Sequence, residues 1–219
     1  MSNNNGRISI AHIHDYGINL NTREVYLHSY ISDGEYEEPG VDYRMSVRFE
    51  KNMRAMNICS KKHILVHMHT VGGEWHDGMG IYDCITFSRS PVTILGYGHI
   101  GSMSSVIFQA ADKRVLMPNA EFMIHYGSMS VESNSISAKS AIEQNDKMNQ
   151  RMLDIYCAKC KESDRFSDWS EKKIKSFLDR RMKSSQEWYM NSEEAVEFGF
   201  ADSILGDDNS PSIEELSNV

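Results

Sequence analysis

The chain has 219 residues and a formal net charge of −8, with 40% hydrophobic and 25% charged residues. A chain of this length can bury one sizeable core, and its ordinary balance of apolar and charged residues excludes wholesale disorder. The acidic excess argues against nucleic acid as the main partner, because phosphate binding needs a basic surface.

In chain order, the Asn-rich stretch 1–6 is expected to fray. It lacks the apolar stretch of a secretory signal, and no segment approaches the roughly 18 apolar residues of a membrane span. Cys59, Cys84, Cys157 and Cys160 are therefore expected to be reduced thiols in a cytoplasmic setting. Residues 24–29 (EVYLHS) predict a strand, and 32–40 (SDGEYEEPG) an exposed loop. Met45, Phe49, Met53 and Met56 share one helical face, so 41–57 predicts an amphipathic helix. A strand at 64–69, a helix at 78–87, a strand at 92–96, a helix at 102–111 and a strand at 122–124 follow. This alternation predicts βαβ units and a mainly parallel sheet, an α/β fold. A long helix over 136–161 is nearly all polar in its first half, so it is expected to project or to pair with another copy. Helices near 170–179 and 192–198 precede an acidic tail from Gly206, expected to be loose. The whole of 1–219 is expected to form one domain: a head over about 7–128 and 163–205, the projecting helix over about 136–162, and the tail 206–219.

Sites in open parallel sheets form at the carboxyl ends of strands. Three such ends carry chemistry here: Thr70-Val71-Gly72-Gly73, Gly98-His99-Ile100-Gly101-Ser102-Met103, and Ile124-His125. A serine at a strand-to-helix turn stands beside unpaired N–H groups that can bind developing negative charge. The Gly-Gly pair lets backbone approach a ligand closely. Together these are the parts of acyl transfer: a nucleophile, a base and two oxyanion donors. The segment is not a G-x-S-x-G elbow, and taken alone a serine opening a helix is ordinarily an N-cap. His67 and His69 alternate on one strand, as His12 and His14 do near the start. Both pairs read as lining a sheet face rather than holding a metal. Cys157-x-x-Cys160 lies within a predicted helix with no second pair nearby, which disfavours zinc. His76 and His99 flank the proposed site without an assigned role.

The wording of three segments resembles ClpP, the proteolytic subunit of ATP-dependent Clp proteases: 71–85 (VGGEWHDGMGIYDCI), 101–125 (GSMSSVIFQAADKRVLMPNAEFMIH) and 191–205 (NSEEAVEFGFADSIL). In that family a Gly-Gly turn precedes a G-M-x-I-Y-D helix and a Ser-Met pair opens the next. A K-R-x-x-x-P-N stretch then leads into M-I-H, and an E-A-x-x-x-G-x-x-D segment closes the domain. The resemblance implies the ClpP/crotonase-like fold of repeated βαβ units with a protruding handle helix, and serine endopeptidase activity without metal or cofactor. It implies Ser102 as nucleophile, His125 as general base, the N–H groups of Gly73 and Met103 as oxyanion hole, and Leu205 with its neighbours as structural. It also implies peptide or unfolded-protein substrates, stacked heptameric rings and an AAA+ ATPase partner, with no nucleic acid and no membrane.

Two departures stand out. The family's aspartate aligns with Glu187, one methylene longer, and Asp179 is the nearest acidic alternative. The family's Ser-Pro-Gly-Gly turn is Thr70-Val71-Gly72-Gly73 here, without the proline. The N-terminal third matches poorly and suggests a phage or other divergent lineage. Rival readings are an inactive ClpP-like subunit, a crotonase-type acyl-CoA enzyme, and a structural or assembly protein that borrows the fold.

Overall fold

The computed structural model describes residues 4–28, 40–128, 134–208 and 210–217. The predicted loop 32–40 therefore lies outside the described residues except for Gly40. After helix α1 (Asn4–Tyr16) and the short β1 (Ile18–Asn19), the chain alternates as β2 (Glu24–His28), α2 (Tyr43–Cys59), β3 (Ile64–Thr70), α3 (Trp75–Thr86), β4 (Val92–Gly101), α4 (Met103–Phe108) and β5 (Lys113–Leu116). β6 (Glu121–His125) follows, then α5 (Ser135–Lys161), α6 (Glu171–Ser185), β7 (Glu187–Met190), α7 (Ser192–Glu197), β8 (Ser203–Ile204) and α8 (Ile213–Leu216).

Strands β2, β3, β4, β5 and β8 run parallel in that order, with β1 antiparallel at the edge. The βαβ units expected from the sequence are thus present. β4 is longer than predicted because it changes partner along its length. Thr93–Gly96 pair with β5, whereas His99–Gly101 pair with β6. Gly98, at φ 56°, sits at this fork, where a side chain would collide with the His69 ring. Beyond the fork, β6 carries β7 as an antiparallel partner, with His125 directly opposite Glu187.

Period-two alternation splits the apolar residues between two faces. Ile64, Val66 and Met68 of β3 join the main core under α2, α3 and α4, while Leu65 packs with Leu95 and Val115 on the other face. On α2 the methionines and Phe49 picked out by spacing are all buried. Asp42 caps α2 by accepting from the Met45 N–H at 2.9 Å.

Several expectations need correction. The N-terminal stretch expected to fray is helical from Asn4, and His12 and His14 lie on that helix rather than on a strand. Strands β1, β5, β7 and β8 were not anticipated; they run only two to four residues, too short for periodicity to register. The tail expected to be loose carries α8, begun by a capping box between Ser212 and Glu215. Its Leu216 is buried against Leu65, Leu95 and Val115.

Helix α5 divides in two. From Met152 onward it is packed, with Tyr156, Cys157 and Cys160 in the core. Before that it carries Ile136 at 82% and Ile142 at 51% exposure. Among the described residues no helix is long and apolar enough to cross a membrane.

Candidate active site

Ser102 occupies the single residue between β4 and α4, with φ 52° and ψ −126°. This is a positive φ on a residue that bears a Cβ, at a cost of about 1–3 kcal/mol. The neighbours hold it there. Its N–H donates to the Met123 carbonyl at 3.0 Å, continuing the β4–β6 ladder. Its carbonyl accepts from the Ser105 N–H at 3.0 Å and from the Ser105 hydroxyl at 2.6 Å, and that hydroxyl lies 2.7 Å from the Tyr156 hydroxyl. The residue makes no side-chain cap bond to its helix, so the ordinary N-cap role does not apply. Its Oγ instead lies 2.7 Å from Nε2 of His125. A strained strand-to-helix turn is thus present without the G-x-S-x-G residues.

His125 ends β6 and is half-buried. Desolvation pushes its pKa below the ordinary imidazole value, while the Glu187 carboxylate pulls the other way. The neutral ring is therefore favoured at neutral pH. When Nε2 accepts from the Ser102 hydroxyl, the ring proton sits on Nδ1.

The glycine turn approaches Ser102 from β3. Gly72, at φ 102°, leaves no room for a side chain: a Cβ would lie 2.6 Å from Ser102 Cβ and 2.8 Å from Met103 N. Gly73, at φ 150°, is pressed against Val41, which pairs with it as a parallel bridge. The bonds of this bridge run from Val41 N–H to Gly72 O at 2.6 Å and from Glu74 N–H to Val41 O at 2.8 Å. Neither bond uses the Gly73 N–H. Val41 thereby braces a turn that has no proline. The Met103 N–H, first in α4, has no intrahelical partner available.

A cleft of about 230 Å³ is lined by Gly73, Ser102, Met103 and His125, and closed by Trp75 and by Asn145, Met148 and Met152 of α5. The sequence alone did not assign these last four to the site. Four of the five predicted site residues, Gly73, Ser102, Met103 and His125, therefore converge. Glu187 faces His125 across the β6–β7 pair, but its hydrogen bond goes elsewhere: its Oε2 accepts from the Tyr189 hydroxyl at 2.8 Å. Asp179 is engaged away from the cleft, accepting from Tyr126 at 2.6 Å and pairing with Lys183 at 2.9 Å. These bonds hold its carboxyl below the usual range.

His99 pairs with Glu121 at 3.1 Å, His76 is exposed on α3, and neither lines the cleft. His67 lies partly buried on the far sheet face, stacked on Tyr26 and 2.8 Å from the Tyr97 hydroxyl. No cluster of three metal-ligating side chains occurs among the described residues. The motif residues Arg114 and Asp202 prove to be an internal tie. The buried Arg114 guanidinium pairs with Asp202 and donates to Gln109 at 2.7 Å and to the Gly199 carbonyl at 2.8 Å.

Comparison with known proteins bears on family and fold. Residues 39–208 match the family model described as Clp protease. A curated relative, the ATP-dependent Clp protease proteolytic subunit of Deinococcus radiodurans, is 27% identical over 147 residues, spanning 66% of this chain and 66% of that protein. The solved structure of a point mutant of ClpP1 from Listeria monocytogenes superposes with a TM-score of 0.68 at 18% identity, covering 87% of this chain and 95% of that one. That likeness establishes the fold. The family match covers well over half of the residues, and the chain belongs to the Clp protease family.

Proposed function

We propose that this protein is a serine endopeptidase in which Ser102 attacks the peptide carbonyl and His125 takes its proton. The observation that carries this reading is the 2.7 Å contact between Ser102 Oγ and His125 Nε2, made by a serine on a strained backbone whose side chain makes no cap bond to its helix. Attack forms a bond from Oγ to the carbonyl carbon, and the Oγ proton passes to Nε2. The carbonyl oxygen becomes an oxyanion between the N–H groups of Gly73 and Met103. The imidazolium then gives its proton to the leaving amine, and water repeats the sequence to release the acyl group. Glu187 supports the imidazolium from across the β6–β7 pair; its effect in raising the His125 pKa supports that role.

The substrate class is peptide or unfolded protein, and no metal or cofactor enters the steps. Family membership and the exposed Ile136 and Ile142 on α5 support assembly into heptameric rings that stack through α5, in the cytoplasm and with an AAA+ ATPase partner. A fluorophosphonate probe tests the chemistry. The reading expects one covalent adduct per chain, mapped by mass spectrometry to Ser102 and lost in His125→Ala. An unlabelled wild-type protein in its assembled state would favour an inactive subunit, an acyl-CoA enzyme of the same fold or an assembly protein.

A further inference from the structure

Along β7, Glu187 and Tyr189 are two residues apart and so project from one face of the strand. His125 stands opposite Glu187 in register, and Met123 opposite Tyr189. The Tyr189 hydroxyl donates to Glu187 Oε2 at 2.8 Å and makes no bond to Oε1. Glu187 is exposed and has three rotatable bonds, so without a partner its carboxylate would sample many positions around the imidazole. A carboxylate accepts several hydrogen bonds at once, so one oxygen can be tied while the other stays available.

We propose that Tyr189 is a positioning residue for the hydrolysis: its hydroxyl fixes one oxygen of Glu187 and sets the other to receive the Nδ1–H of His125. This rests on the Ser102–His125–Glu187 reading. During attack the Ser102 proton moves to Nε2, and the imidazolium keeps its Nδ1 proton, directed at Glu187. No proton passes to Tyr189. The phenol is held above its ordinary pKa by the same carboxylate, with Glu121 adding to the effect, so it remains a donor over the working range. The other titratable neighbour is His99, whose ring meets Tyr189 edge-on at 6.2 Å and pairs with Glu121.

The test is Tyr189→Phe, which keeps the ring and its contact with His99 and removes only the hydroxyl. Peptide turnover and the fluorophosphonate labelling rate are measured across pH, alone and in a Glu187→Gln background. The expected result is a fall in kcat of about 3- to 10-fold with KM nearly unchanged. The acid limb of the profile should also move to lower pH, because a wandering carboxylate stabilises the imidazolium less. In the Glu187→Gln background the same change should do nothing further. Unchanged or increased turnover, or an equal loss in both backgrounds, overturns the proposal. A wild-type protein that neither hydrolyses peptide nor takes the label defeats the peptidase reading and this proposal together. An active wild type that is indifferent to Tyr189→Phe defeats this proposal alone.

Discussion

Ser102 and Arg114 lie twelve residues apart in one motif-bearing stretch, yet the two regions differ in almost every physical respect. Arg114 is buried with its guanidinium paired and hydrogen-bonded, and it ties β5 to the returning α7–β8 segment through Asp202 and Gly199. Ser102 opens onto a cleft, holds a strained φ, and has its hydroxyl 2.7 Å from a half-buried histidine. The first arrangement spends its polar groups on one another. The second leaves a serine hydroxyl and a histidine ring at the lining of a cavity. Residues of one motif thus divide into those that hold the chain together and those free to act on something else.

The two regions should respond in opposite ways to substitution. Ser102→Ala should cut peptide turnover by about 10³-fold or more, because the nucleophile is gone while oxyanion donors and binding remain. Its stability should stay within about 1 kcal/mol of wild type, since the serine makes no cap bond. Thermal unfolding and steady-state kinetics on one preparation check both halves; a large drop in melting temperature would break the contrast. Asp202→Ala should do the reverse at the level of the fold. Asp202 is itself about a third exposed (34%), and without it the buried Arg114 guanidinium keeps only its bonds to Gln109 and Gly199, a loss that costs about 1–3 kcal/mol. Chemical denaturation should register that loss, and an unchanged midpoint would show that Arg114 finds other partners.

A smaller effect concerns pH. Burial lowers the His125 pKa, so the acid limb of activity should lie below the ordinary imidazole value of about 6.5. Activity needs the neutral ring, is full above the folded pKa, and is lost as pH falls through it. Since Glu187 raises that pKa, Glu187→Gln should shift the limb further toward acid while lowering the plateau. A limb that moves toward alkali would mean that the carboxylate acts through some other group.

Much of the architecture was legible because it rests on local pattern. The methionine stripe of α2 and the apolar runs of β3 and β4 announce their elements through spacing alone. Short strands such as β5, β7 and β8 did not, since they are defined by their neighbours rather than by any periodicity of their own. The same limit governed the site. Ser102, His125, Gly73 and Met103 were reachable through strand ends and a family resemblance. Val41 bracing the glycine turn and Tyr189 bonding Glu187 were not. Val41 meets Gly73 only because the chain returns to it in three dimensions. Tyr189 would have been found had 187–190 been recognised as a strand, because alternation places it on the face of Glu187. The cleft residues of α5 were missed for a related reason: a polar helix gave no sign of which side would lean over the cavity.

The brace on the glycine turn also bears on how this protein comes into being. Val41 meets Gly73, Gly72 abuts Ser102, Ser102 N–H bonds Met123, and the serine hydroxyl reaches His125 across a sequence separation of 23 residues. None of these contacts is local, so none can form before the loops between them close. A chain still emerging from the ribosome, or one with its helices formed and its sheet unpaired, has no means of bringing Ser102 and His125 together. On the proposed function, peptidase activity should therefore arise only once β4 and β6 have paired, and an incompletely folded chain should lack it.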